Sequence, residues 1–350
     1  MNRLVVRWVP TALAAAVIAS VAIAVPVAAN AAVDLPAKTP QQVLELVSQS
    51  SVKDFSGTIE QSSKLGLPAL PTTGTGSNSS ASSALSVLAG SYTARVYVDG
   101  ATRTRFQIMD KLAERDVVKN GSDVWLYDSS AKTATHSTLP ASTHDGSVPT
   151  PGTEQTPAQL AQRFLVAADS TTKVTVGADT RVAGRTAYDL VLAPRASDTL
   201  ISSVSIAVDS ETGLPLSVDL FARGQHDPAF SLAFSSLSLQ TPAANLFDFT
   251  PPVGVTVKQQ TVPQNDLKKP TGTAPQHTVV GTGWDAVLVL PASTEITTLT
   301  SSPLFSELTN SVTGGRVLHT ALVNVFFASD GRVLAGSVSP ERLEAVASSR

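Results

Sequence analysis

From Ser91 onward the chain alternates with a period of two. Tyr92, Ala94, Val96 and Val98 fall on one side of a strand, and Thr93, Arg95, Tyr97 and Asp99 on the other. Asp99-Gly100 is a turn signal, after which Phe106 and Ile108 alternate with Arg103, Arg105 and Gln107. Arg115 to Lys119 is a third strand, and Asn120-Gly121 turns the chain into a fourth, Asp123 to Tyr127. A fifth follows at Thr133 to Leu139. The pattern predicts an antiparallel meander with one apolar face and one basic or polar face.

Helical spacing occurs on both sides of this meander. In TPQQVLELVSQ (Thr39 to Gln49) Thr39 caps, Pro40 suits the first turn, and Val43, Leu44 and Val47 recur on one side. A short strand follows with Phe55, Gly57 and Ile59 on one face. Thr156-Pro157 opens a second helix, in which Leu160, Phe164 and Leu165 form the stripe. Strands then resume at Lys173 to Val176, Arg181 to Ala183, Thr186 to Leu192 and Ser203 to Val208. Asp209-Ser-Glu-Thr-Gly213 turns back into Leu214 to Phe221, and Phe230, Leu232 and Phe234 alternate once more. Leu65 to Ser83, rich in Pro, Gly and Ser, reads as loop, as does the polar stretch around His144, Asp145, Pro149 and Pro151. Asn78-Ser79-Ser80 in the first loop matches a glycosylation sequon.

Residues 1–31 stand apart. Arg3 and Arg7 precede an uncharged apolar run that ends in Ala29-Asn30-Ala31, the small-x-small pattern of a cleaved export signal. An uncleaved membrane anchor is the alternative, since about twenty apolar residues also span a bilayer. Either way the body is expected outside the cytoplasm. Residues 258–276, with three prolines and almost no large apolar side chain, read as a linker. Residues 277–350 then form a small α+β domain of their own, expected to dock on the body. Its strands are read at His277 to Val280, Asp285 to Leu290, Arg316 to Phe327 and Arg332 to Ser337. Helices are read at Ser302 to Thr309 and after Ser339-Pro340-Glu341.

Composition removes more chemistry than it adds. The chain has no cysteine, so disulfides, thiolate metal sites, a cysteine nucleophile and a lipid-attachment cysteine are excluded. Twenty-five basic residues against twenty-eight acidic give −3, and no electrostatic reason to expect nucleic acid. The five histidines lie at no metal-ligand spacing, and Gly-x-Ser-x-Gly, phosphate-loop and His-Glu-x-x-His motifs are all missing. Gly281-Thr-Gly283-Trp-Asp-Ala286 matches a dinucleotide fingerprint in letters, but the β-like run after it supplies no helix N-terminus, so it reads as a turn. No catalytic residue, metal site or cofactor is expected, and the chain does not read as an enzyme. The strand basics Arg95, Arg103 and Arg105 are either a solvated sheet face or contacts to a lipid headgroup.

The order of these motifs resembles the LolA-like superfamily of envelope lipid carriers, to which LolA, LolB and the sigma-factor regulator RseB belong. The elements are the first helix, Phe55-Ser-Gly57-Thr-Ile59, VWLYD (Val124 to Asp128), AGRTAYDLVL (Ala183 to Leu192), the Asp209 to Leu216 hairpin and FDFTPPVGVTV (Phe247 to Val257). With fifteen Arg to ten Lys, the chain looks like an actinobacterial-type exported member. The resemblance implies an α+β fold: a half-open antiparallel β-barrel over residues 32–257, covered by helices and enclosing an apolar cavity for acyl chains. Ile59, Val96, Val98, Phe106, Ile108, Trp125, Leu126, Leu160 and Phe164 are the candidate walls, and Trp125 and Leu126 point opposite ways on one strand. The implied function is an exported lipid or lipoprotein carrier or chaperone, acting as a monomer. An RseB-like regulator that binds a membrane protein, and a structural protein whose sheet is fully packed, are the alternatives.

Overall fold

A computed structural model describes residues 34–66, 90–109, 113–139, 155–261, 277–301 and 303–349. The export signal, the Asn78 sequon, the His144-Asp145 loop and most of the expected linker lie outside the described residues. Among the described residues no helix is long and apolar enough to cross a membrane.

Helix α1 (Pro40–Ser48) and helix α2 (Pro157–Ala167) start alike, on Thr-Pro-x-Gln. In α1 the Thr39 hydroxyl accepts the Gln42 N–H at 3.3 Å, and the Gln42 side chain accepts the Thr39 N–H at 2.8 Å. Thr156 and Gln159 repeat this box in α2. Reciprocal capping of this kind satisfies two backbone donors that a helix start leaves unpaired.

Thirteen strands form one sheet. The expected meander is β2 (Tyr92–Asp99), β3 (Arg103–Met109), β4 (Glu114–Asn120), β5 (Asp123–Asp128) and β6 (Thr133–Thr138). A second run comprises β7 (Thr172–Val176), β8 (Thr180–Val182), β9 (Arg185–Pro194), β10 (Ile201–Asp209), β11 (Pro215–Ala222) and β12 (Pro228–Ser238). β1 (Asp54–Ser63) lies between them, paired with β2 on one side and β12 on the other. The sheet is open, running from β13 (Thr256–Thr261) to β7. β13 pairs parallel with β6, so the sheet is not wholly antiparallel. Lys258 to Thr261, expected as linker, belong to this edge strand.

Register places the apolar positions on a single face. Ile59 is opposite Ala94 and Phe234, and Val96 is opposite Phe106. The face continues through Val218, Ile206 and Leu190, which are paired in that order. α1 lies against β7 and β9, and α2 against β11 and β12, each closing part of this face. Val43 and Ala161 are their fully buried contributions. Between β10 and β11 the Asp209 carboxylate accepts the N–H groups of Glu211 and Thr212, both at 2.9 Å, and pairs with Arg185. Gly213 ends that turn at φ +73°, where a Cβ would fall 2.0 Å from the Leu46 carbonyl oxygen of α1. Only glycine fits both constraints.

The C-terminal residues form a six-stranded antiparallel sheet of β14 (Thr278–Val280), β15 (Val287–Leu290), β16 (Asn310–Val312), β17 (Gly315–His319), β18 (Asn324–Ala328) and β19 (Val333–Gly336). Two short helices, α3 (Thr294–Thr300) and α4 (Pro303–Leu308), connect β15 to β16. α5 (Pro340–Ser348) packs Leu343 and Val346 on one face, against Val287, Val317, Phe326 and Leu334. The single strand expected from Arg316 to Phe327 is two, split where Thr320 accepts the N–H groups of Leu322 and Val323. The apolar residues of that turn serve docking: Leu322 is buried among the side chains of the large sheet.

Candidate functional site

Of the nine wall candidates, Ile59, Val96, Phe106 and Ile108 come together in one close-packed cluster, each at most 7% exposed. Phe55 and Phe234 join them edge to face, with ring centroids 5.8 Å apart. Val98 and Leu160 are partly buried against the same cluster. Leu126 shares its face through Val117 and Phe106, its successive cross-strand partners. Trp125 does not, because its partner is Val118, which is opposite Arg105 on the polar face. Of these two neighbours, expected to point opposite ways, register puts Leu126 and not Trp125 on the side of Val96.

The polar face carries a strap formed by the segment after β12, including the 3-10 helix Ala244–Phe247. Arg105 holds both oxygens of the buried Asp116 through Nε and Nη2, and donates from Nη1 to the Leu246 carbonyl at 3.1 Å. Arg103 pairs with Asp99 and lies over the buried Phe247 ring at 5.6 Å. Phe249 rests against Trp125 and Tyr127 at 5.4 and 5.7 Å. Trp125 in turn stacks on His136 at 4.4 Å. Arg103 and Arg105, read as a solvated face or as headgroup contacts, have intramolecular partners on the face turned away from the apolar cluster. Arg95 is exposed on that face.

The second run of strands holds two part-buried carboxylates. Burial raises Asp189 above the ordinary range, against a hydrogen bond from Ser205 and with a further push from the Asp219 charge. Burial also raises Asp219, against hydrogen bonds from Ser231 and Ser217. Among the described residues no group of His, Asp and Glu is placed to hold a metal ion. The Asp227 carboxylate beside His226 is exposed and bonds Lys64 at 3.0 Å.

A cavity of about 380 Å³ lies between the two sheets. Phe164 and Ala167 of α2 and Ile201 of β10 line one side. Trp284, Ala286, Leu288, Val323 and Ala335 form the other, with Gly283, Gly336 and Ser337. No lining side chain is charged. Beside this open-sided pocket the Trp284 indole N–H donates to Thr172 Oγ1 at 2.9 Å. The Leu200 N–H and the Thr199 hydroxyl both donate to the Ser337 carbonyl, at 2.7 and 2.8 Å. Such a space can desolvate an uncharged apolar group. Sequence reasoning found only Phe164 of this lining. The Gly281 to Ala286 turn was legible as a turn, and the 3-10 helix Gly283–Asp285 within it is what sets Trp284 at the cavity.

Family models match residues 86–265 to the MucB/RseB N-terminal domain. Among solved structures the chain is similar to the MucA/MucB complex of Pseudomonas aeruginosa, at 17% identity over 88% of this chain and 96% of that one, with a TM-score of 0.44. It is also similar to a LolA superfamily protein of Nitrosomonas europaea, at 12% identity over 61% and 99% of the two chains, TM-score 0.22. A third is a putative outer membrane lipoprotein-sorting protein domain of Vibrio parahaemolyticus, at 12% identity over 60% and 96%, TM-score 0.23. No curated protein matches the chain.

Proposed function

The chain belongs to the MucB/RseB family, of the LolA-like superfamily, and on that premise we propose that it is an exported binding protein that buries acyl chains of a lipid or lipoprotein. It acts by reversible desolvation and is not an enzyme. The observation that carries this reading is the uncharged cavity of about 380 Å³, whose lining is largely Phe, Ile, Trp, Leu, Val and Ala. Burying a methylene contributes about 0.8 kcal/mol, so a chain of modest length is held without any reactive group.

The test is mass spectrometry of protein purified from its native host, together with titration of a fluorescent acyl probe. Co-purifying lipid and saturable probe binding are expected. Protein free of lipid that also binds no probe overturns the reading.

A second reading, an RseB-like regulator that binds a membrane protein, is supported by the family itself and by the C-terminal sheet forming most of the cavity wall. Affinity capture from native membranes that recovers one single-pass protein, stoichiometrically and without lipid, favours this reading over the first.

A further inference from the structure

The cavity is shared between the large sheet and the C-terminal sheet. The large sheet and α2 supply Phe164, Ala167 and Ile201, and the remaining wall comes from the C-terminal sheet and its turns. Separated from the other, either half would be a flat apolar surface in place of an open-sided pocket. Two lining residues also make the docking contacts: Trp284 bonds Thr172, and Ser337 accepts from Thr199 and Leu200. Docking is completed by the Ala321 N–H on the Leu65 carbonyl at 2.9 Å and by buried Leu322.

We infer that the cavity takes a single apolar chain as a bridge between the two sheets, so that its occupancy and the docking of the C-terminal sheet are thermodynamically linked. The inference rests on the acyl-binding reading above and adds the number of chains held and a mode of regulation. The volume lies near the lower end of the roughly 300–1,000 Å³ spanned by ligand pockets, which selects one chain over a pair. The uncharged lining leaves the polar end of the ligand outside. A ligand held by residues of both halves binds the docked form and not the undocked one, so each event favours the other by the same factor. Anything that pulls the C-terminal sheet away releases the chain.

Amide hydrogen exchange on the full chain, with and without palmitate, tests this. The Leu200 and Ala321 N–H groups bond across the junction and exchange when it opens. With palmitate at about a hundred times its dissociation constant, their exchange is expected to slow by up to about a hundredfold. The Thr256 N–H, bonded to the Lys132 carbonyl at the β13 edge, serves as the control and is expected to keep its rate. Saturable palmitate binding with unchanged exchange at Leu200 and Ala321 overturns the linkage and leaves acyl binding standing. Absence of palmitate binding overturns both. In Trp284→Phe, which keeps an apolar wall but loses the bond to Thr172, palmitate affinity is expected to fall several-fold. An unchanged affinity counts against the linkage.

Discussion

The indole N–H of Trp284 donates to the hydroxyl of Thr172 at 2.9 Å, tying the turn ahead of β15 to the first residue of β7. Thr172 is buried, so losing the donor leaves its oxygen without compensation from water. Trp284→Phe is expected to lower unfolding stability by about 1–2 kcal/mol in urea denaturation.

Ala335 faces the cavity from β19 and is cross-strand partner to Leu288 and Val325. Ala335→Phe puts a ring into space that a ligand would occupy. Acyl-probe affinity is expected to fall at least about tenfold, since the displaced methylenes are worth about 0.8 kcal/mol each. Circular dichroism should show the sheet intact, and an unaltered titration curve would place the probe elsewhere.

Phe247 is 1% exposed and lies beneath the Arg103 guanidinium. Phe247→Ala is expected to destabilise the protein by about 3–5 kcal/mol, the usual range for emptying a buried aromatic site. Loosening the strap also moves Phe249 off Trp125, so the Trp125 emission should shift to the red as water reaches the indole.

Burial raises Asp219 above the ordinary aspartate value of 3.8, and Asp189 is raised with it. The folded state therefore keeps these protons to a higher pH than the unfolded chain does. Their favourable contribution is complete below pH 3.8 and is lost as pH rises through the folded pKa values. Asp219→Asn removes that loss and also relieves Asp189. Its denaturation midpoint is expected above that of the wild type at pH 7, with the gap closing as pH approaches 3.8. A gap constant across this range would show that the advantage is not one of ionisation.

Gly57 leaves no room for a side chain. A Cβ there would lie 2.5 Å from the Ser236 carbonyl oxygen and 3.0 Å from Phe234 Cδ1. Gly57→Ala forces β1 and β12 apart and is expected to destabilise by about 1–3 kcal/mol, with Phe234 losing its packing against Phe55.

Much of the large sheet was legible because strands such as β2 and β3 bury one face and leave the other more exposed. Tyr92, Ala94, Val96 and Val98 announce β2 in this way, and Thr39-Pro40 and Thr156-Pro157 announce both helices. β13 was illegible because an edge strand exposed on both faces has no reason to alternate, and its Lys258-Gln-Gln-Thr261 part reads as linker. The Thr320 turn was hidden for the opposite reason: its apolar residues continue a strand-like run while packing on a different sheet. The cavity could not be read at all. Phe164, Ile201, Trp284 and Leu288 come from distant parts of the chain, and each alone has the signature of ordinary core.

The position of β1 in the middle of the sheet has a kinetic meaning. β2 to β6 form one block of sequence neighbours and β9 to β12 another, so each can assemble through short loops. The two blocks become one sheet only when β1, beside its own neighbour β2, captures β12 across some 180 residues, as in the pairing of Ser56 with Ser238. Closing a loop of that length carries an entropic penalty that must be met before the pairing returns anything. The β1–β12 seam is thus expected to close late in assembly, after strands within each block have paired.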